Sequence, residues 1–272
     1  MHTFETFTLL QSMGFSISSD LIRYLLIAGG TYLALYYGSL QIEKSRIQKR
    51  KATRADVRYE LSYSVQSIAM FSGVAVYIYF TRGTHFNQLY LKISDYGWGY
   101  FFLSLVLMTV IHDTYFYWMH RLMHHPKIYS LVHRVHHRSV NPTPFAANSF
   151  HATEAVLESL VMPLMIAVMP ISIWAIVVFD LFSFSTNVIG HLGYEFAPRW
   201  WVRNPVTKWL MTSTFHNIHH SRFGTNYGFY FTFWDRMMGT LDPHYERDFD
   251  RIHGTKSDYV FPEPRNKLHR RW

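Results

Sequence analysis

The sequence predicts an all-α membrane protein: a multi-pass transmembrane helical bundle, with four spans or three plus a re-entrant hairpin, topped by a histidine-rich helical cap in water. Three observations carry this. Apolar runs of about 20 residues, long enough to cross the hydrocarbon layer as helices, recur along the chain. Aromatic residues make up 18% of the 272 residues and charged residues only 16%. The mean hydropathy is nevertheless only −0.03, so a sizeable basic and polar portion must stand outside the lipid.

Residues 1–20 contain no lysine or arginine and no small-residue cleavage pattern, so the first segment is expected to remain rather than act as a removable signal. The first span is expected over Leu21–Ile42, apolar apart from Arg23 near its start. Lys44, Arg46, Lys49, Arg50, Lys51, Arg54 and Arg58 then form a basic loop of the kind retained on the cytoplasmic side. A second apolar run, Leu61–Phe80, leads to a loop whose only basic residues are Arg82 and Lys92, which suits the outer face.

A third run begins near Trp98 and passes through Phe101, Leu105, Leu107, Val110 and Ile111 into a histidine-bearing stretch on the cytoplasmic side. Residues 156–190 form the last apolar stretch. Pro163 and Pro170 interrupt it, and each ends or kinks a helix, so a tight helical hairpin is expected with both ends on one side. Two full crossings barely fit between His151 and His191, and a hairpin that dips and returns is the alternative. From Gly193 to Trp272 the chain is basic, aromatic and rich in turn residues, and belongs to the cap. No repeat, low-complexity tract or linker divides the chain, so residues 1–272 read as one domain.

Composition removes several classes of function. With no cysteine there is no disulfide framework, thiolate ligand or cysteine nucleophile, and any metal must be held by nitrogen or oxygen. The net charge of +8, beside long apolar runs, faces anionic lipid rather than nucleic acid.

Of the 17 histidines, many fall into a spacing that packing does not produce. His120 and His124 lie four apart, on one face of a helix, where two imidazoles converge. His133, His136 and His137 repeat the spacing of three and four, as do His216, His219 and His220, and each adjacent pair can serve two neighbouring ions. His151 and His191 flank the last hairpin. Burial of imidazole is costly unless it is bonded, so the clusters point to metal. A structural zinc needs four ligands and a hydrolytic zinc three plus water, so this supply points to two ions. Imidazole alone does not choose among iron, copper and zinc. A zinc-dependent hydrolase and a non-catalytic metal-binding membrane protein are therefore the competing classes, although no HExxH-like motif supplies the glutamate of such a hydrolase.

In these motifs the chain resembles the fatty acid hydroxylase and sterol desaturase superfamily, membrane di-iron oxygenases, over about residues 98–241. The stretch from His112 to Arg121 looks like the opening histidine box, and the HxxHH segments at 133–137 and 216–220 like the second and third. Thr143-Pro144-Phe145-Ala146 followed by Phe150-His151, Gly190-His191-Leu192-Gly193-Tyr194-Glu195, and Asn226-Tyr227-Gly228 leading to Trp234-Asp235-Arg236 extend the likeness. The first of these looks closest to the sterol C5-desaturase branch.

The resemblance implies iron ligands at His120, His124, His133, His136, His137, His151, His191, His216, His219 and His220, with His125 an alternative to His124. It further implies two iron ions, dioxygen as co-substrate, and hydroxylation or desaturation of a membrane lipid such as a sterol or fatty acyl chain. No dinucleotide or haem-domain signature is present, so electrons are expected from a separate reductase or electron-transfer protein. The expected site of action is the bacterial inner membrane or the endoplasmic reticulum, with the centre facing the cytoplasm. Asp113, Glu154 and Asp235 are candidates to orient ligating imidazoles, because such rings donate their second nitrogen to a carboxylate or carbonyl.

Overall fold

A computed structural model of the chain describes residues 7–38, 43–48 and 50–254. Helix α1 (Leu9–Tyr24) continues through a π-helical turn, Leu25–Gly29, into α2 (Gly30–Tyr36). It starts twelve residues before the expected Leu21, because Thr8 and Gln11 form a reciprocal capping box at its amino end. Residues 39–42 of the expected first span lie outside the described residues. Asp20 and Arg23 consequently fall inside the helix, where Arg23 pairs with Asp20 and with Asp180.

Helices α3 (Arg54–Phe71) and α4 (Gly73–Thr81) follow a second capping box, Thr53 with Asp56, and meet at Ser72. Helix α5 (Gly97–Met123) is the longest, about 40 Å at 1.5 Å per residue. Short helices α6 (Pro126–Val132) and α7 (Arg134–His137) bring the chain back across its end. The hairpin is α8 (Ala152–Ser159) and α9 (Val161–Val168), then α10 (Ile173–Gly190). The break at Leu160 has a steric cause, since the Pro163 ring collides with the carbonyl four residues back and ends the helix at Ser159.

The hairpin tip is pinned. Strand β1 (Leu89–Tyr90) pairs in parallel with β2 (Ile171–Ser172), and the Tyr100 hydroxyl donates to the Pro170 carbonyl at 3.0 Å. The tip therefore lies beside the start of α5, while both hairpin ends return to the histidine-bearing end of that helix. The remaining cap contains α11 (Ser213–Arg222), α12 (Phe233–Met237) and α13 (Tyr245–Ile252), with α11 and α13 sharing a small core of Ile47, Val202, Phe215, Ile218, Tyr245 and Phe249.

Three helical stretches, Arg54–Thr81, Gly97–Met123 and Ile173–Gly190, are long and apolar enough to cross a membrane. The Leu9–Tyr36 stretch is not among them. Phe102, Leu103, Val106 and Val110 on α5, and Trp174, Val177, Val178 and Leu181 on α10, point outward and exposed. Such a contiguous apolar exterior is stable against hydrocarbon and costly against water.

Candidate metal centre

Four pieces of the fold deliver imidazoles to one pole of the bundle. Helix α5 ends in His120 and His124, and the α6–α7 turn supplies His133, His136 and His137. The carboxyl end of α10 presents His191, and α11 presents His216, His219 and His220. These nine side chains form two buried groups, His120, His124, His133, His137 and His219 in one, His136, His191, His216 and His220 in the other. Adjacent His136 and His137 diverge, one to each group.

Within the group of five, Nε2 atoms approach Nε2 atoms: His120 to His133 at 3.0 Å, His124 to His137 at 3.0 Å, His137 to His219 at 3.0 Å and His124 to His219 at 3.2 Å. In the group of four, His191 lies 3.0 Å from His216, 3.1 Å from His220 and 3.4 Å from His136, and His216 lies 3.1 Å from His220.

Where the opposite ring nitrogen faces a group that only accepts, Nε2 has no proton to donate in these contacts. The Nδ1 atoms of His120, His219 and His191 face the carbonyls of Tyr227, Thr225 and Asn187 at 2.9, 2.7 and 2.8 Å, and a carbonyl only accepts. Nδ1 therefore carries the proton and Nε2 the lone pair. His133 Nδ1 lies 2.5 Å from Glu154 Oε1 and is fixed in the same tautomer. Lone pairs crowded at such distances repel unless a cation lies between them.

The spacing fits that cation. With metal–nitrogen bonds of about 2.1 Å, two nitrogens at a right angle stand about 3.0 Å apart and two at the tetrahedral angle about 3.4 Å. Most of the contacts match the right-angled case, which leaves room for more than four ligands. Burial keeps the rings in the neutral form that binds metal: it holds His124, His133, His137, His216, His219 and His220 well below the usual imidazole range and pushes His191 down to about 4.

The tenth expected histidine stands apart. His151 is the N-cap of α8, its Nδ1 accepting from the Thr153 amide at 3.3 Å, and it contributes no atom to either group. His125 likewise caps α6, toward the Lys127 amide, so His124 is the residue that converges.

Of the three carboxylates, only Glu154 touches an imidazole. Asp113 instead accepts the amides of Tyr230 and Phe231, at 2.8 and 3.2 Å. Asp235 accepts the amides of Tyr227 and Gly228, at 2.9 and 2.7 Å, and so holds the loop whose Tyr227 carbonyl faces His120. Both therefore hold backbone, where the sequence expectation had them orient imidazole rings. Asn187 was not anticipated. Its carbonyl faces His191 and its side-chain amide donates to the Ala147 carbonyl at 2.6 Å.

Comparison with known proteins agrees with this arrangement. The family model described as fatty acid hydroxylase matches residues 105–240, half of the chain, and those residues contain all nine converging histidines. A Delta(7)-sterol 5(6)-desaturase of Gibberella zeae is 31% identical over 59% of this chain and 50% of its own length. A lathosterol oxidase of Mus musculus is 29% identical over 85% of this chain and 75% of its own. The human lathosterol oxidase is 30% identical over 68% and 61%. The chain spans half to about three fifths of the length of the first of its curated relatives. No solved structure matches it significantly. The chain therefore belongs to the fatty acid hydroxylase family, in the branch that holds the sterol desaturases.

Proposed function

We propose that the chain is a dioxygen-dependent lipid oxidoreductase that holds two iron ions in its two histidine groups and hydroxylates or desaturates a sterol, fatty acyl chain or related membrane lipid. The observation that carries the reading is the pairing of two lone-pair-lined groups, bridged by the neighbouring residues His136 and His137, at one end of an apolar bundle. The five- and four-imidazole sets exceed the three ligands and water of a hydrolytic zinc, which argues against a hydrolase. When bound, a redox-active pair supplies the dioxygen chemistry that attacks an unactivated C–H bond. The chain's own part is to fix the ligand tautomers through Nδ1, to exclude water from the buried groups, and to bring a lipid from the bilayer to the pole where the apolar helices end.

The relatives' printed names, sterol desaturase and lathosterol oxidase, support a sterol-like substrate. Gln48 and Arg50, between α2 and α3, reach the histidine pole: the Gln48 side chain donates to the Val140 carbonyl and to Asn217, and Asn141 donates to the Arg50 carbonyl. Basic-residue asymmetry then sets that pole on the cytoplasmic face, with three helical stretches and the α8–α9 arm crossing the bilayer of the endoplasmic reticulum or a bacterial inner membrane. A reductase or small electron-transfer protein would deliver electrons there. All of this is the work of one domain.

Lipid extracts of cells with and without the active chain, compared by mass spectrometry, test the proposal. One lipid should gain one oxygen or lose two hydrogens, only in the presence of dioxygen. Identical extracts at confirmed expression, with an electron donor supplied, would contradict it.

A further inference from the structure

The loop at residues 143–150 touches the group of four by two routes. The Ser149 carbonyl faces His136 Nδ1 at 3.4 Å, and the Ala147 carbonyl accepts from Asn187, whose own carbonyl orients His191. This loop crosses the protein interior as the 3-10 turn Pro144–Asn148, with every residue of the turn buried, so its backbone polar groups must find partners.

Several of those partners come from outside the segment that the family model matches. Glu60 on α3, fully buried, accepts both the amide and the hydroxyl of Thr143. One and two turns further along the same helix, Ser64 donates to the Phe145 carbonyl at 3.0 Å and Ser67 to the Phe150 carbonyl at 3.3 Å. Tyr24 on α1 adds a second donor to Phe145, at 3.2 Å. A carboxylate buried in a membrane-capable helix is costly unless its bonds serve a purpose. Here it anchors the first residue of the loop.

We infer that Glu60 is a positioning residue for the four-histidine site alone: through Thr143 and the 143–150 loop it sets the carbonyls that aim His136 and His191, while the five-histidine site is aimed independently. The independence is visible in the partners. His120, His133 and His219 take theirs from Tyr227, Glu154 and Thr225, none of which belongs to the loop. The inference rests on the two-metal reading, and the unaltered protein serves as the control for that reading.

The test is metal release to a chelator from the full-length, detergent-purified chain loaded with iron. The unaltered chain should release two equivalents slowly; if it never holds two, the two-metal reading fails before the inference is reached. In Glu60→Ala, one equivalent should leave about 10–100-fold faster and the other at the unaltered rate, the size expected for loss of a group that supports ligands. Glu60→Gln, which keeps one acceptor for Thr143, should fall between the two. If Glu60→Ala does not fold, Thr143→Val takes its place, since it removes the hydroxyl bond at nearly constant volume. Two slow equivalents in the variants, or both accelerated together as a general loss of structure would give, would overturn the inference.

Discussion

The two histidine groups use the same side chain and are held by different parts of the molecule. The group of five is aimed chiefly by the cap, with Glu154 of α8 as a partner from the bundle. Two of its rings face carbonyls of the 225–227 segment, which Asp235 anchors through the Tyr227 and Gly228 amides, and a third faces the Glu154 carboxylate. The group of four is aimed from the bundle, by a carbonyl of α10 and by a loop hung on α1 and α3. It also has one imidazole fewer, and its Nδ1 partners are neutral carbonyls where the larger group has a carboxylic acid group. A carboxylate raises the basicity of the imidazole it holds, so the two sites should differ in how tightly they keep metal.

The largest effects should come from removing ligands. His220→Ala leaves three imidazoles in the smaller group and His137→Ala leaves four in the larger. Each should drop metal content from two equivalents to about one and lower product formation at least on the order of a hundredfold. Metal analysis beside lipid product analysis at matched expression checks this. Equal metal content in both variants and the unaltered chain would erase the distinction between the groups.

A smaller effect is expected from Glu154→Gln, which keeps the shape and replaces the acid group facing His133. Metal should leave the five-histidine site about 10–100-fold faster, with the other site unaffected. This is the mirror image of the Glu60 result, and the two chelator-release experiments together show whether the sites are aimed separately.

Gly190→Ala probes the group of four by volume alone. A Cβ there would lie 3.2 Å from the His216 ring, so the ring must give by a few tenths of an ångström. Two metal equivalents should remain, and product formation should fall by up to about tenfold, since misplacement by about 1 Å costs around a hundredfold. His151→Ala should have the least effect on chemistry. It removes one side-chain bond to the Thr153 amide at a helix start and should lower thermal stability slightly while metal content and turnover stay unchanged.

The contrast between His151 and Glu154 also shows where sequence reasoning reaches its limit. The HxxHH segments were legible because spacing on a single helix or turn fixes which rings share a face. His151 had no such partner, and its place at a helix start decided its role. Glu154 follows His151 by three residues, yet the ring it holds is His133, 21 residues away, through a loop closure that no periodicity encodes. Asp113 and Asp235 accept backbone amides instead, and the competition of amides for a buried carboxylate leaves no trace in residue spacing. The apolar stretches of α4, α5 and α10 followed from composition, whereas the first helix began early because a local capping box outweighed the apolar boundary. Glu60 went unnoticed because it sits at the edge of an apolar run that was read as starting at Leu61.

The account stands on there being two metal sites, and the most direct test is the metal content of the detergent-purified chain after loading with ferrous iron and removal of loosely bound ion. About two equivalents per chain, falling to about one in both His137→Ala and His220→Ala, is the predicted result. No more than one equivalent at saturation in the unaltered chain would contradict it, and with it the assignment of nine histidines to two groups.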